Sequence, residues 1–230
     1  MIDTVFLDAG GVLVHPNWTR VADALAAQGV VVDPSHLAAA EPFAKHRMDT
    51  RRVVASTDDH RRGWLYFDEV LSEAGVPKDE RTMAAFVELR VYHAAHNLWE
   101  HVPADVVPML ESLHALGLRR VVVSNANGTV VRKFERLGLT PHFQAVFDSF
   151  DVGVEKPDPR FFDLALERTG SDRATTVHVG DFYHIDVLGA RSAGLRAVLV
   201  DVANLYADAD CPRVTTLAGL VAWVERHRRA

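Results

Sequence analysis

Thr4-Val5-Phe6-Leu7-Asp8-Ala9-Gly10-Gly11-Val12-Leu13 decides the fold. The apolar run Val5-Phe6-Leu7 ends on a carboxylate, and two glycines follow at once. A short continuous apolar run bounded by turn residues reads as a strand buried on both faces. Parallel α/β sheets place their chemistry outside the carboxyl ends of such strands, which is where Asp8 falls. Gly10 and Gly11 let the backbone turn sharply, approach a ligand closely and aim N–H groups at an anion.

Working outward, further β-branched runs read as buried parallel strands: Arg120 to Val123, Thr175 to Val179 and Ala197 to Val200, with a weaker one at Ala145 to Phe147. Helical patterns lie between them at Ala104 to Leu116, Thr129 to Leu137, Pro159 to Arg168 and Ile185 to Ala193. Gly117, Gly138, Gly170 and Gly194 close these in turn, as expected of left-handed helix stops. The alternation predicts an α/β fold, a doubly wound, Rossmann-like parallel sheet. After the first strand the pattern changes: Trp18 to Gln28, Ser35 to about Arg52, Asp59 to Ala74 and Glu80 to Asn97 all have helical spacing. Consecutive helices with no strand between them predict an inserted helical unit over the end of the first strand. The expected division is a core of residues 1–14 and 98–230 and a cap of residues 15–97. Thr216 to Arg229 reads as an amphipathic helix whose basic end, Arg226-His227-Arg228-Arg229, suits the negative pole of the helix dipole.

With 48% hydrophobic residues in a chain of 230, a buried core is assured and global disorder is excluded. A net charge of −6 argues against general binding to nucleic acid or to a membrane surface, since both reward basic proteins. Small molecules are the expected partners. Cys211 is the only cysteine, so neither an internal disulfide nor a cysteine metal cage can form. No apolar run approaches the roughly 20 residues that span a bilayer, and a cytoplasmic, reducing environment is expected.

Three later stretches supply what a strand-end carboxylate needs for hydrolysis. Ser124-Asn125 offers a hydroxyl and an amide directly after a strand, and both are expected, with Gly10, Gly11 and Lys156, to bind substrate. Lys156, held in an extended segment by Pro157, offers a cation that neutralises carboxylates and holds a phosphoryl oxygen. Asp181 ends another strand and Asp186 follows; with Asp8 they form an oxygen-rich set of the kind that binds Mg²⁺. Three anions without a cation would repel, so convergence implies a metal. In the competing reading Asp186 pairs with a helix-face arginine such as Arg191.

In this order the motifs resemble the haloacid dehalogenase-like hydrolase superfamily. Asp8-Ala9-Gly10-Gly11-Val12-Leu13 matches its first motif, Ser124-Asn125 the second, Lys156-Pro157-Asp158 the third and Gly180-Asp181-Phe182-Tyr183-His184-Ile185-Asp186 the fourth. The helical insertion looks like the family's C1 cap. The resemblance implies that Asp8 is the nucleophile and forms an aspartyl-enzyme intermediate. It also implies that Mg²⁺ is held by Asp8, the Gly10 carbonyl, Asp181 and Asp186, and that Ser124 and Lys156 bind the transferring phosphoryl group of a small phosphorylated metabolite. The chain departs from the pattern at Gly10, where phosphatases of the family place a second aspartate as acid and base, and at Val12, which replaces the usual threonine.

Four functions follow from that departure. One is a Mg²⁺-dependent phosphatase that favours acyl, aryl or anhydride leaving groups, or that recruits His15, Asp58, Asp59 or His184 as a substitute acid. A 2-haloacid dehalogenase needs no such acid but is metal-independent and lacks the aspartate at Asp181. A phosphonatase-like enzyme would use a cap lysine, with Lys45 the candidate, although Lys45-His46-Arg47 reads more simply as a solvated face. From another class comes a degenerate phospho-ligand or protein-binding module. Trp18, Phe43, Trp64, Phe67, Phe86, Tyr92 and Trp99 lie on helical patterns and read mainly as cap core.

Overall fold

The computed structural model describes residues 1–228. The chain forms two compact units, one of Met1–Val14 with Val102 onward and the other of His15–His101. β1 (Thr4–Leu7) opens the first. The second holds β2 (His15–Pro16), α1 (Trp18–Ala27), α2 (Pro34–Met48), α3 (Arg51–Ser56), α4 (Asp59–Glu73), α5 (Glu80–His96) and β3 (Trp99–His101). The first then resumes with α6 (Val106–Ala115), β4 (Arg119–Ser124), α7 (Val130–Arg136), β5 (Ala145–Asp148), α8 (Ser149–Val152), α9 (Pro159–Thr169) and β6 (Thr176–Gly180). A π turn at Tyr183–Val187 runs into α10 (Leu188–Ser192), followed by β7 (Arg196–Val200), β8 (Arg213–Val214) and α11 (Leu217–Arg228). Arg229, predicted to extend the last helix, lies outside the described residues.

The first unit is an α/β, Rossmann-like layer structure. Its six strands run in the order β5-β4-β1-β6-β7-β8, and every neighbouring pair is parallel. From β1 the sheet grows to one side through β4 and β5, then to the other through β6 to β8. This makes β1 the point where the strand order reverses, the place where such sheets bind ligands. Leu7 is level with Val122 on one neighbour and Val179 on the other. The Asp8 N–H extends the ladder by one bond to the Val179 carbonyl, 2.9 Å. Asp8, Ser124 and Asp181 therefore leave the sheet at the same edge. All of β1 is buried, and Phe6, Val121, Val123, Phe161, Phe162 and Leu199 share one core; each such side chain contributes about 1.5–3 kcal/mol when fully buried. Gly117, Gly138, Gly170 and Gly194 all stand at positive φ after their helices, as the sequence predicts.

Two features of this unit escape the periodicity. β8 is only two residues long, too short for a pattern. The spacing predicts an ordinary helix over 185–193, but the structure starts with a widened π turn, a distortion frequently associated with functional sites.

The helical unit has its own core, in which Trp18, Leu37, Phe67, Leu71, Phe86 and Leu89 are buried. Trp64, Tyr92 and Trp99 pack against it half-buried, whereas Phe43, expected in that core, is 46% exposed. Ser35 to Arg52 is not one helix. α2 stops at Met48, and Thr50 turns extended and caps α3 by accepting the Val53 N–H, 3.3 Å. β3 pairs antiparallel with β2, which places Trp99–His101 in this unit and puts its end at 101, not 97. No helix among the described residues is long and apolar enough to cross a membrane.

Candidate active site

Lys156 organises the edge where β1, β4 and β6 end. It follows α8 in the loop before α9, its side chain is fully buried, and its Nζ donates to Asp8 Oδ1 at 2.9 Å and to Asp186 Oδ1 at 2.7 Å. Its backbone is held by Asn125, whose Oδ1 accepts the Lys156 N–H (2.7 Å) and whose Nδ2 donates to the Lys156 carbonyl (2.9 Å). Asn125, expected to bind substrate, thus has both ends of its amide engaged in holding the lysine loop. Ser124, the last residue of β4, is buried, with its hydroxyl 3.4 Å from the Asn125 carbonyl.

Asp8 retains 15% side-chain exposure, which makes it the accessible member of the set. Its Oδ1 accepts from the Ala9 N–H (2.8 Å) as well as from Lys156, leaving Oδ2 as the oxygen that these two donors do not engage. The loop after it folds on itself: the Ala9 carbonyl accepts from both Leu13 and Val14, and the Gly11 N–H donates to the Val14 carbonyl, 2.9 Å. The Gly11 N–H, expected to face an anion, is thus engaged by the Val14 carbonyl. Its glycine identity has another cause. Gly11 has φ 72°, and a Cβ there would overlap the Asp181 carboxylate. Gly11→Ala is expected to cost about 1–3 kcal/mol, lowering the melting temperature by roughly 2–12 °C in a thermal scan.

The third carboxylate arrives by the π turn. Asp186 is buried, its Oδ2 accepts the Phe182 N–H (3.0 Å), and its Oδ1 accepts from Lys156 and from His178 Nε2 (2.9 Å). A Cβ on Gly180 would overlap this carboxylate, so the strand must end in glycine. Arg191, the alternative partner, instead donates to Asp210 at 2.7 Å. His178 is the member that the sequence reading missed. It sits inside the apolar run of β6, where the only signal was a titratable residue between Val177 and Val179.

Asp8, Asp181 and Asp186 each offer an oxygen within 4.8 Å of the others. Three carboxylates against one ammonium leave a net charge of −2. The electrostatics carry the mark of that excess. Burial, opposed by Lys156 but reinforced by Asp186 and Asp181, raises the Asp8 pKa to about 6. Asp186 is also penalised by burial, yet Lys156 and the His178 bond hold it well below the ordinary carboxylate range. Burial disfavours the charge on Lys156, but Asp186 and Asp8 outweigh it and push its pKa up to about 12. Burial lowers the His178 pKa, and the Asp186 bond only partly offsets this. An all-oxygen donor set in which three carboxylates meet one ammonium fits a hard divalent cation.

The remaining candidates have other settings. Asp58 caps α4 by accepting the Arg61 N–H, 2.8 Å. Asp59 lies 3.9 Å from Arg62, and His184 packs edge-on against Tyr183. Within the helical unit, Glu41 accepts from Trp18 Nε1 (3.0 Å) and has His15 Nδ1 at 3.7 Å. Burial pushes the Glu41 pKa up, but His15, Tyr66 and Lys45 pull it below normal. Lys45, read from sequence as solvated, is buried beside this glutamate.

Comparison with known proteins adds to this geometry. The family model of haloacid dehalogenase-like hydrolases matches residues 2–194. Haloacid dehalogenase-like hydrolase domain-containing protein 3 of Danio rerio is 43% identical over 103 residues, 45% of this chain and 42% of that protein. The matched stretch thus spans less than half of that relative's length. Ribulose-1,5-bisphosphate 5-phosphatase of Halopiger xanaduensis is 31% identical over 177 residues, 76% of this chain and 73% of the relative. Among solved structures, a 2-haloacid dehalogenase from Pseudomonas syringae pv. Tomato matches with a TM-score of 0.61 and 28% identity, over 98% of this chain and 99% of that one.

Proposed function

The chain belongs to the haloacid dehalogenase-like hydrolases, and on that premise we propose that it is a Mg²⁺-dependent phosphatase of a small phosphorylated metabolite, with residues 15–101 as its C1 cap. The observation that carries the reading is the buried Lys156 bridging Asp8 and Asp186 beside Asp181, an anionic cluster left at −2. Mg²⁺ held by Asp8, Asp181, Asp186 and the Gly10 carbonyl would supply Lewis-acid charge to the phosphoryl oxygens. An Asp8 oxygen attacks phosphorus as the bond to the leaving group breaks, and water then cleaves the aspartyl phosphate. Lys156 fixes Asp8 through Oδ1 and has one further N–H for a phosphoryl oxygen. Ser124 binds a second. Phosphoryl transfer relies largely on positioning and charge, which these groups provide.

At Gly10 there is no carboxylate to protonate the leaving oxygen. Such acid catalysis is typically worth about 10²–10⁴ in rate. The enzyme is therefore expected to turn over acyl and aryl phosphates on the order of 10²-fold or more faster than alkyl phosphates. Steady-state rates on a leaving-group series with Mg²⁺ and with EDTA test this: equal aryl and alkyl rates would reject the missing-acid account, and EDTA should abolish turnover. The likeness to a 2-haloacid dehalogenase and the glycine at position 10 favour a second reading, C–halogen hydrolysis. Halide release from 2-chloropropionate that persists in EDTA would select it. The burial of Lys45 beside Glu41 gives the phosphonatase reading a paired lysine in place of a free amine.

A further inference from the structure

We propose that His178 is a positioning residue for the metal centre: it locks the Asp186 carboxylate so that one chosen oxygen faces the cation. The inference rests on the proposed Mg²⁺ site and extends it to a group that lies outside the four family motifs.

His178 is fully buried in the middle of β6, its ring edge-on to Phe162 at 4.9 Å. A leucine would fill such a place, and packing does not call for an imidazole. Its polar contact is the bond from Nε2 to Asp186 Oδ1, 2.9 Å. Asp186 is ionised, so that oxygen only accepts and Nε2 carries the hydrogen. The other ring nitrogen, Nδ1, is then a buried acceptor with no hydrogen-bond partner among the described residues. Retaining that desolvated nitrogen destabilises the fold, and what the protein gains is the bond to Asp186.

The consequence follows from counting acceptor positions. A carboxylate has about four. On Asp186, Lys156 and His178 occupy both positions of Oδ1, and the Phe182 N–H occupies one of Oδ2. One position on Oδ2 remains for the cation or a water on it. Without His178, Oδ1 keeps a single donor, and the carboxylate can rotate about its terminal bond, taking Lys156 with it. Partners that orient a metal-binding carboxylate typically cost 10–100-fold in metal affinity when removed.

The test is direct Mn²⁺ binding, read by electron paramagnetic resonance of free Mn²⁺, with thermal melting in EDTA alongside. His178→Leu is expected to bind Mn²⁺ about 10–100-fold more weakly while melting no lower than the parent. His178→Gln, which restores an N–H donor at similar reach, should recover most of the affinity. Parent-like affinity in a folded His178→Leu would overturn the proposal, as would equal weakening in both variants. The metal site itself is judged by the unmutated protein. If that binds no Mn²⁺, the phosphatase reading fails with it; if it binds and His178→Leu matches it, only the role of His178 falls.

Discussion

Asp8→Asn is expected to abolish turnover, lowering kcat on an aryl phosphate on the order of 10⁴-fold or more, the scale seen when a covalent nucleophile is removed. The same substitution should leave the protein folded and raise its melting temperature in EDTA. Asparagine keeps the shape of the side chain and an oxygen that can accept from Ala9 and Lys156, and it removes one of three mutually repelling charges. Lys156 does not lose its partner, because the shorter of its two ion pairs is to Asp186. Loss of activity with gain of stability is the combination expected where catalysis maintains a strained charge cluster. Kinetics and a thermal scan on one preparation decide it. Undiminished turnover in Asp8→Asn would remove the nucleophile from the argument, and a large drop in melting temperature would mean that Asp8 serves the fold.

The strand-end part of the candidate site was legible because each of its members ends an apolar run. Asp8, Ser124 and Asp181 follow Leu7, Val123 and Gly180, and in a parallel sheet strand ends become neighbours whatever their separation in sequence. Lys156 was legible by charge and by its proline, although its complete burial was not. What stayed hidden depends on backbone detail that periodicity does not encode. The π turn is one case, since a 3.6-residue pattern has no symbol for a widened turn, and it is this turn that carries Asp186. His178 is another: in a strand buried on both faces, period-2 reasoning assigns it only to the interior, and its partner is Asp186, eight residues on. An amide and a glycine after a strand suit anion binding, which is why Asn125 and Gly11 read as substrate groups. Within the fold their bonds run to the Lys156 backbone and to Val14, partners that a strand-end pattern does not reveal. The boundary of the helical unit was displaced because two- and three-residue strands such as β2 and β3 leave no pattern to read.

Gly10→Asp is expected to raise kcat on alkyl phosphates by about 10²–10⁴-fold, the usual worth of a well-placed general acid, while changing aryl phosphate rates much less. The two glycines differ in what they allow. Gly11 has φ 72° and lies against Asp181, so a side chain there is strained; Gly10 does not share that positive φ. Position 10 is also two residues past Asp8, in a loop pinned by the bonds from Leu13 and Val14 to the Ala9 carbonyl. A carboxylate added there therefore joins a fixed frame. The selectivity follows from the leaving group: an aryl oxide departs as a stable anion, whereas an alkoxide must gain a proton as the bond to phosphorus breaks. Gly10→Asn isolates the proton, because it matches aspartate in size and cannot donate as an acid; it should give no gain on alkyl esters. Equal alkyl rates in Gly10→Asp and Gly10→Asn, with both still active on aryl phosphates, would show that the reaction is limited by something other than the missing acid.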